Sequence, residues 1–118
     1  MLTETHVIQE FTTLVERTHP QAGALLQHCR IKLITTHWGR PPKRLDYIAI
    51  YCSEALIEAV SAQKEAFRHI SNYMGLAEPV FRNASRLLRD PMSKLKQDAP
   101  RFWLELHCLL STHPAEIE

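Results

Sequence analysis

Glycine is scarce in this chain: three residues in 118, spread over Gly23, Gly39 and Gly75. A phosphate-cradling loop needs clustered glycines whose backbone can close on the phosphates, so nucleotide binding of that kind is excluded. Cysteine is equally sparse. Cys29, Cys52 and Cys108 are odd in number and widely spaced, which makes no disulfide framework and agrees with a reducing compartment. No apolar run reaches the roughly 18 residues that a membrane span takes. The opening Met-Leu-Thr-Glu-Thr-His lacks the basic and apolar segments of a signal peptide. The expectation is a soluble, cytoplasmic chain with no membrane partner.

What is present is a core. With 45% hydrophobic residues, the chain reads as one globular domain over residues 1–118. Net charge is only +1, too little for a uniformly basic nucleic-acid binder, yet its distribution is uneven. From Arg30 to Arg44 there are five Lys or Arg and no acid; from Pro79 to Arg101 there are six against Asp90 and Asp98. The first sixteen residues carry Glu4, Glu10 and Glu16 with no Lys or Arg. Such segregation suits an electrostatic footprint for phosphates, and it suits ordinary solvated helix faces equally.

Thr3 can cap a first helix of about fifteen residues, with Val7, Ile8, Phe11, Leu14 and Val15 at helical spacing, ending before His19-Pro20. A second helix follows from about Gln21, turning Ala22, Leu25, Leu26 and Cys29 inward. Ile31–Thr36 and Asp46–Tyr51 are rich in β-branched and aromatic residues and flank a loop, so they can pair as a hairpin or extend neighbouring helices. Helix is the preferred reading, because an isolated two-stranded hairpin is marginal. Between them, Gly39-Arg-Pro-Pro-Lys-Arg44 is a loop that sets Arg40, Lys43 and Arg44 in solvent beside Trp38, as a phosphate-contacting arm or a stiff connector. Asp90-Pro91 marks the next boundary. The fold class expected is mainly α, a small compact bundle of about five helices, with a short β-hairpin at 31–51 as the open alternative.

The most informative stretch is Ile70 to Leu88. Ser71 supplies a small position, Gly75 a turn that tolerates positive φ, and Ile70, Met74, Leu76 and Phe81 the apolar positions that set the angle between two helices. Pro79 sits where the first turn of a second helix accepts it. Laid out at about 100° per residue, Val80, Phe81, Ala84, Leu87 and Leu88 share one side, and Arg82, Ser85, Arg86 and Arg89 the other. In this spacing the chain resembles the helix-turn-helix DNA-binding proteins. The resemblance implies a recognition helix over Pro79–Leu88 in which Arg82, Asn83, Ser85 and Arg86 grip or read the groove, while Arg89, Lys94 and Lys96 hold phosphates. A second reading is one long helix, broken at most at Ser61-Ala62-Gln63, that ends at Gly75.

The last helix begins near Asp98-Ala99-Pro100. Phe102, Trp103, Leu104, Leu106, Cys108, Leu109 and Leu110 surround almost its whole circumference. Phe102, Trp103, Leu106 and Leu110 are therefore candidate contacts to a second copy or a partner protein; the alternative is a central core helix wrapped by the others. Catalysis finds no constellation. Zinc needs three or four converging ligands, and His28-Cys29 and His107-Cys108 offer neighbours that point about 100° apart. No cofactor, metal or catalytic residue is expected. Two readings follow: a small non-enzymatic nucleic-acid-binding protein, a dimeric helix-turn-helix regulator of transcription, or a helical adaptor docking on a larger assembly through its C-terminal helix.

Overall fold

The structure, a computed structural model, describes residues 3–90, 92 and 94–111. In chain order the elements are α1 (Glu4–Thr18), α2 (Pro20–Leu26), β1 (Arg30–Trp38), β2 (Lys43–Cys52), α3 (Ile57–Ala62), α4 (Lys64–Tyr73), β3 (Val80–Asn83), α5 (Ala84–Arg89), α6 (Leu95–Asp98) and α7 (Pro100–Ser111). The expectation of a mainly α bundle is overturned. The strands form a mixed sheet in the order β1-β2-β3, with β1 and β2 antiparallel and β2 and β3 parallel, so the fold is α+β.

Both segments preferred as helix are strands, and the physical reason is support from elsewhere in the chain. The hairpin is not isolated. β3 extends it to three strands, and Ile31, Leu33, Ile48 and Ile50 are packed under helices. The parallel pairing of β2 and β3 requires a crossover, which α3 and α4 supply.

The helix expected over Pro79–Leu88 is absent. Val80–Asn83 is extended and pairs with Ala49–Cys52, and a six-residue helix starts only at Ala84. A β-branched residue and an aromatic beside the free edge of β2 gain more from ladder hydrogen bonds than from two turns of helix. Phe81 then points into the core, 5.8 Å from the Phe67 ring. Gly75 closes α4 instead of joining two helices. Its φ is +77°, the Leu76 N–H donates to the Ser71 carbonyl at 2.8 Å and the Gly75 N–H to that of Asn72 at 3.1 Å, which is a Schellman ending. The break foreseen near Gln63 is present, between α3 and α4.

Other boundaries follow local chemistry. Thr3 caps α1, its hydroxyl accepting the His6 N–H at 3.2 Å. Gly23 lets α2 lie against α1, since a Cβ there would stand 2.7 Å from the Glu16 Cα. Pro91, read as part of a boundary, lies outside the described residues; Asp90 directly follows α5.

Two buried clusters result. The larger joins Phe11 and Val15 of α1, Ala22 and Leu26 of α2, Ile48, Ile50 and Cys52 of β2, and Val60, Phe67 and Ile70 of α3 and α4. The smaller joins Ala84 to Phe102 and Leu106, with Tyr51 of β2 and Leu88, Leu95, Leu109 and Leu110 packed around them. Helices α1 to α4 thus cover one face of the sheet, and α7 reaches the other.

Candidate nucleic-acid interface

Residues directly opposed in a ladder share a face, so the register sorts every strand residue. Ile31, Leu33, Ile48, Ile50 and Phe81 face α1 to α4. The second face is built in rows: Arg30, Tyr51 and Arg82; Lys32, Ala49 and Val80; Ile34 and Tyr47; Thr36 and Leu45; Trp38 and Lys43. These rows hold four Lys or Arg, three aromatics and no Asp or Glu.

The described part of α7 covers one end of this face. Phe102 meets Tyr51 edge-on with ring centroids 4.7 Å apart. Lys32 Nζ lies 4.9 Å from the Phe102 centroid, and Arg30 pairs with Glu105 at 2.9 Å. Further along the hairpin the cover stops. Ile34 and Tyr47 are partly exposed and belong to neither buried cluster, Leu45 is 41% exposed and Trp38 57%. Arg82 is exposed at the margin of the covered end. Burial pushes the Tyr51 phenol above its usual value, and the Arg82 charge beside it works the other way. The outcome is an amphipathic platform: flat rings and aliphatic side chains bordered by cations.

The chain matches no family model, no curated protein and no solved structure. The site therefore rests on its own geometry.

That geometry divides the residues singled out from the sequence. Arg40 lies exposed in the β1–β2 turn, and Lys43 opens β2 opposite Trp38. Arg82 shares the face of Lys43. Arg44 points to the other face, where it pairs with Asp46 at 3.1 Å. Asn83 caps α5, its side-chain Oδ1 accepting the Arg86 N–H at 3.0 Å, and Ser85 is buried with its hydroxyl accepting the Glu54 N–H at 3.1 Å. Neither is presented to a groove. Arg86 is exposed on α5, while Arg89 pairs with Glu54 at 2.9 Å and donates to the Ser85 carbonyl. Lys94 is exposed before α6, and Lys96 Nζ sits 5.0 Å from the Trp103 ring centroid. The ten cations and polar groups expected to act together are thus scattered over the hairpin, β3, α5 and α6.

The apolar residues of α7 are mostly engaged within the chain. Phe102 is 7% and Leu106 0% exposed, Trp103 is partly buried against His107, and Leu110 packs on the smaller cluster. Leu104, 58% exposed, and Cys108 point outward. Among the described residues, no group of three or more His, Cys, Asp or Glu is placed to hold a metal ion.

Sequence reasoning left out Lys32, Ile34, Leu45, Tyr47 and Tyr51. The signal was available: read with a period of two, Arg30, Lys32, Ile34, Thr36 and Trp38 collect on one side, as do Lys43, Leu45, Tyr47 and Tyr51.

Proposed function

We propose that this is a small non-enzymatic nucleic-acid-binding protein whose open sheet face takes a single strand. The observation that carries the reading is the second sheet face itself, with Trp38 exposed, Tyr47 partly exposed and no carboxylate in any row from that of Lys43 to that of Arg82. Single strands are bound sequence-tolerantly where bases stack on aromatic side chains while cations track the backbone; each stacked base contributes about 1–3 kcal/mol. Trp38 and Tyr47 stand two rows apart, roughly 13 Å at a rise of about 3.3 Å per residue, which makes two separate stacking positions. Lys43, Arg40 and Arg82 serve the phosphates.

Duplex reading by a recognition helix has less support, because residues 80–83 are a strand and Asn83 and Ser85 are used in capping and core contacts. Docking through α7 has less support as well, since Phe102 and Leu106 already pack on this chain's own sheet. No described helix is long and apolar enough to cross a membrane, and a cytoplasmic place belongs to the same proposal.

The chain has two tryptophans, so Trp103→Phe leaves Trp38 as the sole indole reporter. Titration with a single-stranded oligonucleotide should quench it, with log K falling linearly in log salt. A matched duplex should bind more weakly. Preference for the duplex, or no binding at low salt with the folded protein, overturns the reading.

A further inference from the structure

None of the three cysteines is in a disulfide. Two of them nevertheless face one another. The antiparallel register of β1 and β2 ends at Arg30 and Tyr51, and Cys29 and Cys52 are the residues directly beyond that last rung. Opposed residues of such a ladder have Cα atoms about 4.5–5.5 Å apart, inside the span of about 4.4–6.8 Å that a disulfide bridges. Cys52 is part of the larger core and Cys29 packs against it. The two thiols lie close enough for each to shift the other's proton affinity. Cys29 Sγ also lies 3.2 Å from its acceptor, the Leu25 carbonyl oxygen, and Cys52 Sγ lies 3.9 Å from that of Arg82.

The pair has a route to solvent. Cys52 is fully buried, whereas Cys29 is half-buried and lines a groove of about 560 Å³ between the start of β1 and α7, together with Arg30, Arg101, Glu105 and Cys108. Cys108, on the groove's outer side, is exposed. Nothing in the nucleic-acid reading uses these sulfurs.

We propose that Cys29 and Cys52 are a redox dithiol, oxidised to an intramolecular disulfide by a low-molecular-weight disulfide of the glutathione type entering through this groove. The two sulfurs contend for protons across their contact, which holds the proton on Cys29 and favours the thiolate at Cys52. Transfer of that proton to Cys52 frees the Cys29 thiolate. It attacks the oxidant, whose S–S bond breaks; Cys29 becomes a mixed disulfide and one glutathione thiolate leaves. Cys52 gives its proton to that leaving group. Its thiolate attacks the Cys29 sulfur, forming the internal bond and expelling the second glutathione, which takes up a proton. Two protein thiols are oxidised, and one glutathione disulfide becomes two glutathiones.

The test is oxidation of the native full chain in glutathione disulfide buffers, followed by acid quench, alkylation and non-reducing peptide mapping. The expected result is a Cys29–Cys52 linked peptide that dominates natively, whereas all three pairings appear in denaturant. Cys108→Ser should oxidise in the same way. Cys52→Ser should halt at a stable glutathione adduct on Cys29. A dominant Cys29–Cys108 bridge, a persistent adduct on Cys29 in the chain that retains Cys52, or no oxidation of the folded chain by excess oxidant overturns the proposal.

Discussion

The same three strands present two different surfaces. On the face under α1 to α4, Ile48 and Ile50 are buried and Ile31, Leu33 and Phe81 pack against the same core; on the other, Lys32, Tyr47, Leu45, Trp38, Lys43 and Arg82 alternate with them and only the end near Tyr51 is covered by α7. Alternation alone produces both faces. The difference teaches that a core-packed surface and an open one are built from neighbouring residues of one strand, separated by direction and not by distance along the chain. Substitutions one position apart should therefore fail in different ways.

The largest effect belongs to the sealed face. Phe67 is fully buried, its ring 6.3 Å from Phe11 and 5.8 Å from Phe81, so it joins α4 to α1 and to β3. Phe67→Ala should cost about 3–5 kcal/mol, read as a lower urea midpoint at unchanged m. A cost below about 1 kcal/mol, the scale of a surface substitution, would mean that this face is not the main core. Next comes the α7 layer. Leu106 is 0% exposed but belongs to the smaller cluster, so Leu106→Ala should cost about 2–3 kcal/mol, at the lower end of the range for buried leucines. Equal losses at Leu106 and Phe67 would erase the ranking of the two faces.

The open face should show the reverse profile. Trp38→Ala should leave stability within about 0.5 kcal/mol and weaken single-strand binding by about 1–3 kcal/mol. Tyr73 is a control for exposed aromatic area, because it is 74% exposed at the end of α4, away from the platform. Tyr73→Ala should leave binding unchanged. Equal losses at Trp38 and Tyr73 would abolish the platform as a distinct site.

Lys43 and Arg44 sharpen the comparison at a single step of chain. Lys43 lies in the row of Trp38, while Arg44 is tied to Asp46 on the other face. Lys43→Ala should lower the salt slope of single-strand binding by about 0.7, one phosphate contact, and Arg44→Ala should leave the slope as it is. Matching changes would show that the two faces are not distinguished by the ligand.

Helical elements were the legible part of the fold. Thr3, Pro20, Gln63, Gly75 and Pro100 are boundary signals that act within a few residues, and each stands at an element end. The sheet was not legible for the same reason. A strand is stabilised by partners distant in sequence, and Val80–Asn83 is recruited by β2, about thirty residues earlier. Four residues sample a helical period and a strand period almost equally well, so Arg82 of the strand lines up with Ser85 and Arg86 of α5 as if on one helix face. Of the candidate site, the cations Arg40, Lys43 and Arg82 were found by charge. Their companions Tyr47 and Leu45 were not, because they acquire meaning only once residues 43–52 are read with a period of two.

The smallest effect lies where the sealed face runs out beyond its helices and turns polar. Thr35 opposes Asp46 there, its hydroxyl donating to Asp46 Oδ1 at 2.7 Å, with Arg44 Nε at 3.1 Å. The Thr35 hydroxyl above all holds the Asp46 carboxyl below its ordinary value of 3.8; burial opposes it, and the Arg44 guanidinium adds to the lowering. A carboxylate favoured in the folded state lends stability above the unfolded-chain value. That stability is lost as pH falls through the depressed folded value. Thr35→Val keeps the β-branched shape and removes the donor. The variant should be slightly less stable than the parent above about pH 4, and the gap should close as acid protonates Asp46 in both chains. Urea unfolding at stepped pH reads this directly. A gap that stays constant into strong acid would assign the loss to packing of the threonine and not to its hydrogen bond, and the polar end of this face would then add nothing that depends on charge.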